Sequence, residues 1–195
     1  MKFIENLFRT IEQELLEFVR EYQIENFKIA LIGSFGVAAY GVEVSTRDID
    51  FLCYGEPYEN FTSSLFEFWE KKEVLVRKFN FCRDPLDPLK HSFCRIKLRG
   101  EIVDFLVASY KWEVAGLAKS PFFPGFSLLR VFSKPYLIAL KLKAGGLKDL
   151  FQVQALLRDL SSEELQEVQH VAREARVSRI LQKVRKGLNK NLVKK

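Results

Sequence analysis

The chain has 195 residues, of which 48% are hydrophobic and 29% charged, and its formal net charge is +6. These values exclude a disordered chain and predict one globular unit with a well-buried core. No segment approaches the roughly 20 apolar residues of a membrane span, and acids throughout the N-terminal segment argue against a signal peptide. The three cysteines, at positions 53, 82 and 94, cannot all pair internally. We therefore expect reduced thiols, a cytoplasmic location and no membrane partner.

The first predicted element is an amphipathic helix, because apolar residues between Ile4 and Val19 recur at three- and four-residue steps. The segment KIALIGSFGVAAYGVEVSTRDIDFL then runs from residue 28 to residue 52. It predicts a buried strand, a Gly-Ser turn, a short helix to about Tyr40, and a second strand that ends in Asp48-Ile49-Asp50.

Two carboxylates lie on that second strand. Residues two apart on a strand project to the same face, so Asp48 and Asp50 lie together while Ile49 and Phe51 point into the core. Neighbouring carboxylates repel each other and are costly to keep ionised unless a cation lies between them. A divalent metal is the natural candidate, and a pair of exposed strand polars is the alternative.

The turn before the short helix has the chemistry of a phosphate site. Gly33 permits a backbone conformation closed to other residues and a close approach by a ligand. Ser34 offers a hydroxyl and a backbone N–H at the predicted helix start, where unpaired amides and the helix dipole favour an anion. We predict that Gly33 and Ser34 hold the phosphates that the metal would carry.

These motifs occur in a characteristic order. Ile32-Gly33-Ser34, thirteen intervening residues, and then Asp48-Ile49-Asp50-Phe51 resemble the signature of the nucleotidyltransferase superfamily related to DNA polymerase beta. The segment GSFGVAAYGVEVSTRDIDFL is most similar to its small prokaryotic branch, which includes AbiEii-type toxins and minimal (MNT-type) nucleotidyltransferases. The resemblance extends to about Leu157, through KPYLIALKLKAGGLKDLFQVQALL. It implies transfer of a nucleoside monophosphate (NMP) from a nucleoside triphosphate (NTP) to an acceptor, assisted by two Mg²⁺ (or Mn²⁺) ions.

A two-metal mechanism of this kind needs a third carboxylate on a neighbouring strand. The run from Cys94 to Val107 predicts a hairpin with Gly100-Glu101 at its turn. Asp104 lies among apolar residues of that hairpin, and a buried lone carboxylate needs a metal, a base or backbone amides as its partner. We predict the metal, with Glu101 as the rival acid. Asp104 is also the candidate acceptor for the proton of the acceptor hydroxyl.

Two lysines are predicted to complete the phosphate site. Lys141 lies in the middle of an apolar helix predicted over about 134–144. It either extends its amine to water or reaches back to the triphosphate, which is the role that the resemblance assigns to a lysine here. Lys148 and Asp149 open the next helix, where similar proteins carry a Lys/Arg-Asp pair. Many of those proteins have a second acid three residues later, where this chain has Gln152.

Ser34 is also open to interpretation as a hydrolase nucleophile. The chain has no Gly-x-Ser-x-Gly elbow, and its only histidines are His91 and His170. We expect His91 to be exposed after a Pro- and Asp-rich loop and His170 to lie on a polar C-terminal helix. Serine hydrolysis is therefore disfavoured.

Positive charge concentrates at the C-terminus. Residues 173–195 contain nine Lys or Arg and one acid, a net charge of +8, which leaves −2 for residues 1–172. Ser161 and Glu164 predict a capping box before an amphipathic helix that runs to about residue 186. One basic face is predicted from Arg173, Arg176, Arg179, Lys183 and Lys186. This face is either solvated or binds RNA phosphates, which makes tRNA or another nucleic acid a candidate acceptor.

The predicted fold is α/β (α+β): a small, mixed, twisted sheet flanked by helices. We divide the chain into a nucleotidyltransferase core with its N-terminal helix, residues 1–132, and a helical portion with the basic tail, residues 133–195, packed on the core. The predicted function is metal-dependent NMP transfer to a hydroxyl of an RNA end or a protein side chain, in a protein that is a candidate toxin–antitoxin component with a cognate antitoxin partner. The alternative is a catalytically weak or inactive module that binds nucleotides or nucleic acids.

Overall fold

The computed structural model describes residues 2–46, 48–79 and 91–192, and within them the side chains of residues 3–187. These ranges contain eight helices and six strands. The helices are α1 (Lys2–Glu21), α2 (Gly33–Ala38), α3 (Tyr58–Lys71), α4 (Lys111–Lys119), α5 (Lys134–Ala144), α6 (Leu147–Leu156), α7 (Ser162–Glu174) and α8 (Ser178–Leu192). The strands are β1 (Glu25–Leu31), β2 (Ile49–Glu56), β3 (Leu75–Phe79), β4 (Phe93–Leu98), β5 (Glu101–Val107) and β6 (Leu129–Val131).

The six strands form one mixed sheet in the order β3-β4-β5-β2-β1-β6. Strand β2 lies between β1, to which it is antiparallel, and β5, to which it is parallel. Strands β3, β4 and β5 are antiparallel neighbours, and β6 extends the other edge parallel to β1. The predicted small mixed sheet flanked by helices is confirmed.

Helices cover both faces of this sheet, because successive residues of the central strands point to opposite sides. Ile29 and Phe51 belong to a core that also contains side chains of α1 and α3. Ala30 and Leu52 belong to the core on the other face, which contains side chains of α4 to α8. The C-terminal helices therefore share a hydrophobic core with the sheet. The predicted boundary between residues 132 and 133 stays a prediction.

Helix α1 confirms the predicted amphipathic pattern. Its fully buried residues recur at three- and four-residue steps: Leu7, Ile11, Leu15 and Phe18. Despite its 20 residues this helix is polar on its other face, and among the described helices none is long and apolar enough to cross a membrane.

The hairpin of β4 and β5 turns one residue earlier than predicted. Leu98 pairs with Glu101, so the turn is Arg99-Gly100 rather than Gly100-Glu101, and Glu101 begins β5. Both turn residues have positive φ, 52° at Arg99 and 88° at Gly100, which is the backbone that a two-residue hairpin turn with the twist of the strands requires.

The predicted helix from Ser161 to about residue 186 is two helices. Its capping box is confirmed, because Ser161 Oγ accepts from the Glu164 N–H at 3.1 Å and the Glu164 carboxylate accepts from the Ser161 N–H at 2.8 Å. The chain then leaves α7 at Arg176, whose φ is 61°, and begins α8 at Ser178. A residue in the left-handed region ends a helix, so the predicted continuous basic face across residues 173–186 is wrong.

Candidate active site

The strand that carries the acids begins where it was predicted to end. Strand β2 starts at Ile49, and Asp48 lies exposed directly before it. The partner strand β1 stops at Leu31, opposite Phe51, while the pairing of β2 with β5 extends to Ile49, opposite Val103. Among the described residues, neither ladder reaches Asp48. The predicted alternation is confirmed, since Ile49 and Phe51 are buried while Asp50 points to the opposite face.

Asp50 lies between the Gly33 turn and Asp104. On one side, Gly33 has a φ of +60°, and a Cβ added to it would lie 2.0 Å from Asp50 Oδ2. On the other side, Asp50 pairs in register with Asp104 on the parallel strand β5. Register partners on adjacent strands project to the same face. The structure thus brings together three of the predicted site residues, Gly33, Asp50 and Asp104, in a row across the sheet.

The charge state of Asp50 reflects this crowding. Burial, with a further contribution from the negative charges of Asp104 and Asp48, raises the pKa of Asp50 from 3.8 to about 6, against the opposing effects of Lys141 and Arg95. Burial and neighbouring carboxylates both disfavour the charged form of a carboxylate, and a nearby cation favours it. Asp50 is therefore the acid of this cluster that would gain most from a bound cation.

Asp104 already has a cationic partner. Arg95 Nε donates to Asp104 Oδ1 and Arg95 Nη2 donates to Asp104 Oδ2, both at 2.8 Å. Arg95 and Asp104 are also directly opposed in the β4–β5 ladder. Such a two-pronged pair is the strongest geometry that arginine forms with a carboxylate. Asp104 is 8% exposed, so the guanidinium is what satisfies this nearly buried acid.

The acids fit a divalent cation in part. Asp48 and Asp50 supply carboxylate oxygens, which Mg²⁺ and Mn²⁺ prefer, and burial together with the neighbouring carboxylates raises the pKa of Asp50. The third acid does not fit as placed, because both Asp104 oxygens accept hydrogen bonds from Arg95. Over residues 2–46, 48–79 and 91–192, no group of three or more His, Cys, Asp or Glu side chains is arranged to hold a metal.

The two predicted lysines lie in different environments. Lys141 is buried on α5 rather than extended to water, and its Nζ donates to Asp149 Oδ1 at 2.7 Å. Its charge also lowers the pKa of Asp50, so Lys141 belongs to the acid cluster. Lys148 is exposed on α6 and donates to the backbone carbonyl of Ser45 at 3.1 Å. It therefore attaches α6 to the loop that precedes Asp48.

Ser34 is buried next to the turn, in a helix of six residues that begins at Gly33. Its Oγ accepts a hydrogen bond from Gln152 Nε2 at 3.0 Å. The amide of Gln152 thus orients the serine hydroxyl. The oxygen of that amide, Oε1, is buried and has no hydrogen-bond partner among the described residues.

His91 is buried, so its predicted exposure is wrong. Its Nε2 lies 2.9 Å from Glu113 Oε1, and Glu113 Oε2 accepts from the backbone N–H groups of Ser109 and Tyr110 at the start of α4. Glu113 is itself fully buried, and a buried carboxylate needs polar partners. The His91 ring and these two N–H groups supply them. The predicted position of His170 on a polar C-terminal helix is confirmed; it is exposed on α7, with its Nε2 3.5 Å from Glu174 Oε1.

Three residues that the sequence reasoning did not assign to the site take part in it: Arg95, Asp149 and Gln152. Arg95 was detectable in principle, since the register of a hairpin follows from its turn. The pairings of Asp149 with Lys141 and of Gln152 with Ser34 join different helices. They cannot be recognised from a single sequence.

Comparison with known proteins supports the fold. No family model and no curated protein matches the chain. Among solved structures, a candidate nucleotidyltransferase from Thermotoga maritima matches with a TM-score of 0.53 and 17% identity over 82% of this chain and 96% of that chain. Two structures of the antibiotic-resistance factor ANT(2″)-Ia, one in complex with adenylyl-2″-tobramycin, are 14% identical, with TM-scores of 0.42 and 0.43. They cover 93% and 94% of this chain and 94% and 97% of theirs.

The first likeness shows that this chain has the nucleotidyltransferase fold. The TM-scores of the other two are too low to carry an argument.

Proposed function

We propose that this protein is a metal-dependent nucleotidyltransferase that transfers NMP from an NTP to a hydroxyl acceptor. The observation that carries the proposal is the position of Asp50: half-buried, beside Gly33 and in register with Asp104. A half-buried acid with a pKa raised to about 6 is a costly arrangement in a structural role. On a nucleotidyltransferase fold, a bound divalent cation would stabilise the ionised Asp50 and so explain why the acid is placed there.

The reaction exchanges a phosphoanhydride bond of the triphosphate for a phosphate ester bond to the acceptor. The acceptor oxygen forms a bond to the α-phosphorus, the bond from that phosphorus to the bridging oxygen breaks, and pyrophosphate leaves with the electron pair. The proton of the acceptor hydroxyl passes to a carboxylate of the site, for which Asp104 stays the predicted acceptor. Asp48 and Asp50 would hold Mg²⁺ or Mn²⁺, which would neutralise phosphate charge and acidify the acceptor hydroxyl.

The phosphates are proposed to lie against Gly33, Ser34, Lys141 and Lys148. Glycine at position 33 keeps a methyl group out of the space beside Asp50. Because Ser34 Oγ already accepts from Gln152, its own proton is available for a phosphate oxygen. Lys141 would add positive charge from within the cluster, and exposed Lys148 from the α6 side.

An RNA end is the acceptor that the charge distribution favours. Exposed cations of α7, α8 and the turn between them have no ion-pair partner among the described residues: Arg173, Arg176, Arg179, Lys183 and Lys186. Although the helix break prevents one continuous face, Arg179, Lys183 and Lys186 follow at four- and three-residue steps on α8 alone. Cations so spaced lie on one side of a helix and can neutralise successive phosphates.

A second candidate function is a module that binds nucleotides or nucleic acid without transfer. The specific observation in its favour is the engagement of Asp104 by Arg95, which leaves the predicted three-acid metal site incomplete. A role as a toxin–antitoxin component, with a partner protein, rests on the sequence resemblance alone.

The two candidates are separated by incubating the protein with Mg²⁺, each α-labelled NTP, and either total RNA or cell protein. Transfer predicts a labelled acceptor and release of an equal amount of pyrophosphate, both lost in Asp48→Asn and Asp50→Asn. Glu43→Gln, an exposed acid in the loop before Asp48, is the matched control and should keep activity. Nucleotide binding without a labelled acceptor would favour the binding module.

A further inference from the structure

Four charged residues on neighbouring strands form one row across the sheet. Arg77 on β3 is opposite Arg95 on β4, Arg95 is opposite Asp104 on β5, and Asp104 is in register with Asp50 on β2. The row ends at Gly33, against which Asp50 packs. Two cations and two anions thus follow each other along a single line that leads into the candidate active site.

Within this row, only the Arg95 guanidinium is bonded to an acid of the site. The pair is two-pronged, and the Asp104 side chain is far less exposed than that of Arg95, at 11% against 37%. Arg77, the neighbouring cation, lies over the Phe79 ring at 4.3 Å instead. The other nearby cation, Lys141, is already paired with Asp149. Arg95 is therefore the residue that offsets the Asp104 charge.

The charges that remain set the number of metal ions. With Asp104 bonded to Arg95, the acids of the cluster that have no ion pair among the described residues are Asp48 and Asp50, whose two negative charges match one divalent cation. A second divalent ion at Asp104 would have to displace the guanidinium or lie beside its positive charge, and like charges at such short range repel strongly.

Building on the proposed function, we infer that the Arg95 guanidinium takes the place of a second divalent cation in this chain. The site then binds one Mg²⁺ or Mn²⁺, at Asp48 and Asp50, together with the triphosphate. Arg95 also holds the Asp104 carboxylate in a fixed orientation next to Asp50. Removing the guanidinium would free both Asp104 oxygens and open a second metal position.

The number of bound ions tests this inference without any measurement of activity. Equilibrium dialysis against Mn²⁺ and inorganic triphosphate gives both components per protein chain and needs no knowledge of the base. We expect one Mn²⁺ in the wild type and in the control Arg77→Met. We expect two in Arg95→Met, and one again when Asp104→Asn is added to that variant, because the second ion requires the freed carboxylate.

Two Mn²⁺ ions in the wild type would overturn the role of Arg95 while leaving the proposed transfer intact, whereas none would overturn both. A folded Arg95→Met protein that still binds one ion would also overturn the inference. Urea unfolding establishes whether that variant is folded. If it is not, Arg95→Lys retains a positive charge and should bind one ion. Two ions bound to Arg95→Lys would contradict the inference that a side-chain cation replaces the second metal ion.

Discussion

Gly33 and Asp50 are packed so closely that position 33 admits no side chain. A Cβ at residue 33 would lie 2.0 Å from Asp50 Oδ2 and 2.8 Å from its Cγ, and the φ of +60° is one that other residues rarely adopt. The glycine of the predicted phosphate turn thus has a second purpose, because it makes room for the carboxylate. The turn and the acid pair, fifteen or more residues apart in sequence, form one unit.

Gly33→Ala should destabilise the protein by about 1–3 kcal/mol, through backbone strain and collision with Asp50, and should abolish transfer by displacing that carboxylate. Urea unfolding and the label-transfer assay measure the two effects. Gly100→Ala is the matched control, because Gly100 also has positive φ but nothing within 4 Å of an added Cβ. Gly100→Ala should show the backbone strain without a collision and should keep activity. Equal activity in Gly33→Ala and Gly100→Ala would contradict the close contact between Gly33 and Asp50.

Stability of the metal-free protein should depend on the ionisation of Asp50. Its pKa is about 6 in the folded state against an ordinary 3.8, so the folded state holds the proton more tightly than the unfolded chain. The associated stability is complete below pH 4 and is lost as the pH rises to about 6. A shift of this size corresponds to about 3 kcal/mol.

Asp50→Asn cannot ionise, so in EDTA it should be up to about 3 kcal/mol more stable than the wild type at pH 7.5 and little changed at pH 4. Urea unfolding at the two pH values measures this difference. Glu43→Gln removes an exposed acid and should follow the wild type. A gain in stability that is the same at both pH values would show that charge is not its cause.

Lys141→Met should cost about 2 kcal/mol of stability, because it leaves Asp149 without its partner in a largely buried ion pair. Adding Asp149→Asn should recover much of that loss, since the unpaired charge is then gone. Lys148→Met, which removes an exposed lysine of α6, should change stability by less than about 0.5 kcal/mol. Additive effects of the two substitutions at 141 and 149 would show that the pair is not energetically coupled.

Two thiols should be unreactive in the native protein. Cys53 and Cys94 are free and buried, and burial raises the pKa of both thiols well above the ordinary value, which removes the reactive thiolate. The predicted reduced state is thus compatible with the positions of Cys53 and Cys94. The third cysteine, Cys82, lies outside the described residues. In a Cys82→Ser variant, iodoacetamide at pH 8 should modify neither cysteine until urea is added. Rapid modification without urea would contradict the described packing.

If cations of α8 contact RNA, the affinity should fall as the salt concentration rises. The slope of that fall should scale with the number of cations that contact phosphates. Replacing Arg179 and Lys183 by Gln should reduce the slope of log K against log salt by about 1.4, since each contact with a single strand contributes about 0.7. Filter binding at several salt concentrations measures the slope. Replacing the exposed Lys97 and Lys111 by Gln removes the same two positive charges and should leave the slope unaltered.

Local pattern was sufficient for much of the fold. Period-two alternation correctly assigned Ile49 and Phe51 to the core and Asp50 to the opposite face, because that pattern depends only on strand geometry. Strand ends were less predictable: β2 starts at Ile49, which pairs with Val103 of β5, whereas the pairing with β1 reaches only to Phe51. The partners of a strand cannot be identified from its own residues.

Register explains the main surprise of the site. A turn at Gly100-Glu101 would place Lys97 opposite Asp104, whereas the actual turn at Arg99-Gly100 places Arg95 there. One residue of difference therefore changes which cation meets the acid. The burial of His91 has a similar cause, because its partner Glu113 lies on a later helix and no local pattern connects them.

The central claim is tested most directly by which phosphorus of the triphosphate reaches the acceptor. With Mg²⁺ and RNA or cell protein present, α-labelled NTP should yield a labelled acceptor, γ-labelled NTP should yield only labelled pyrophosphate, and Asp50→Asn should give neither. Label from the γ-position on the acceptor, or release of free nucleotide alone, would contradict nucleotidyl transfer by this acidic cleft.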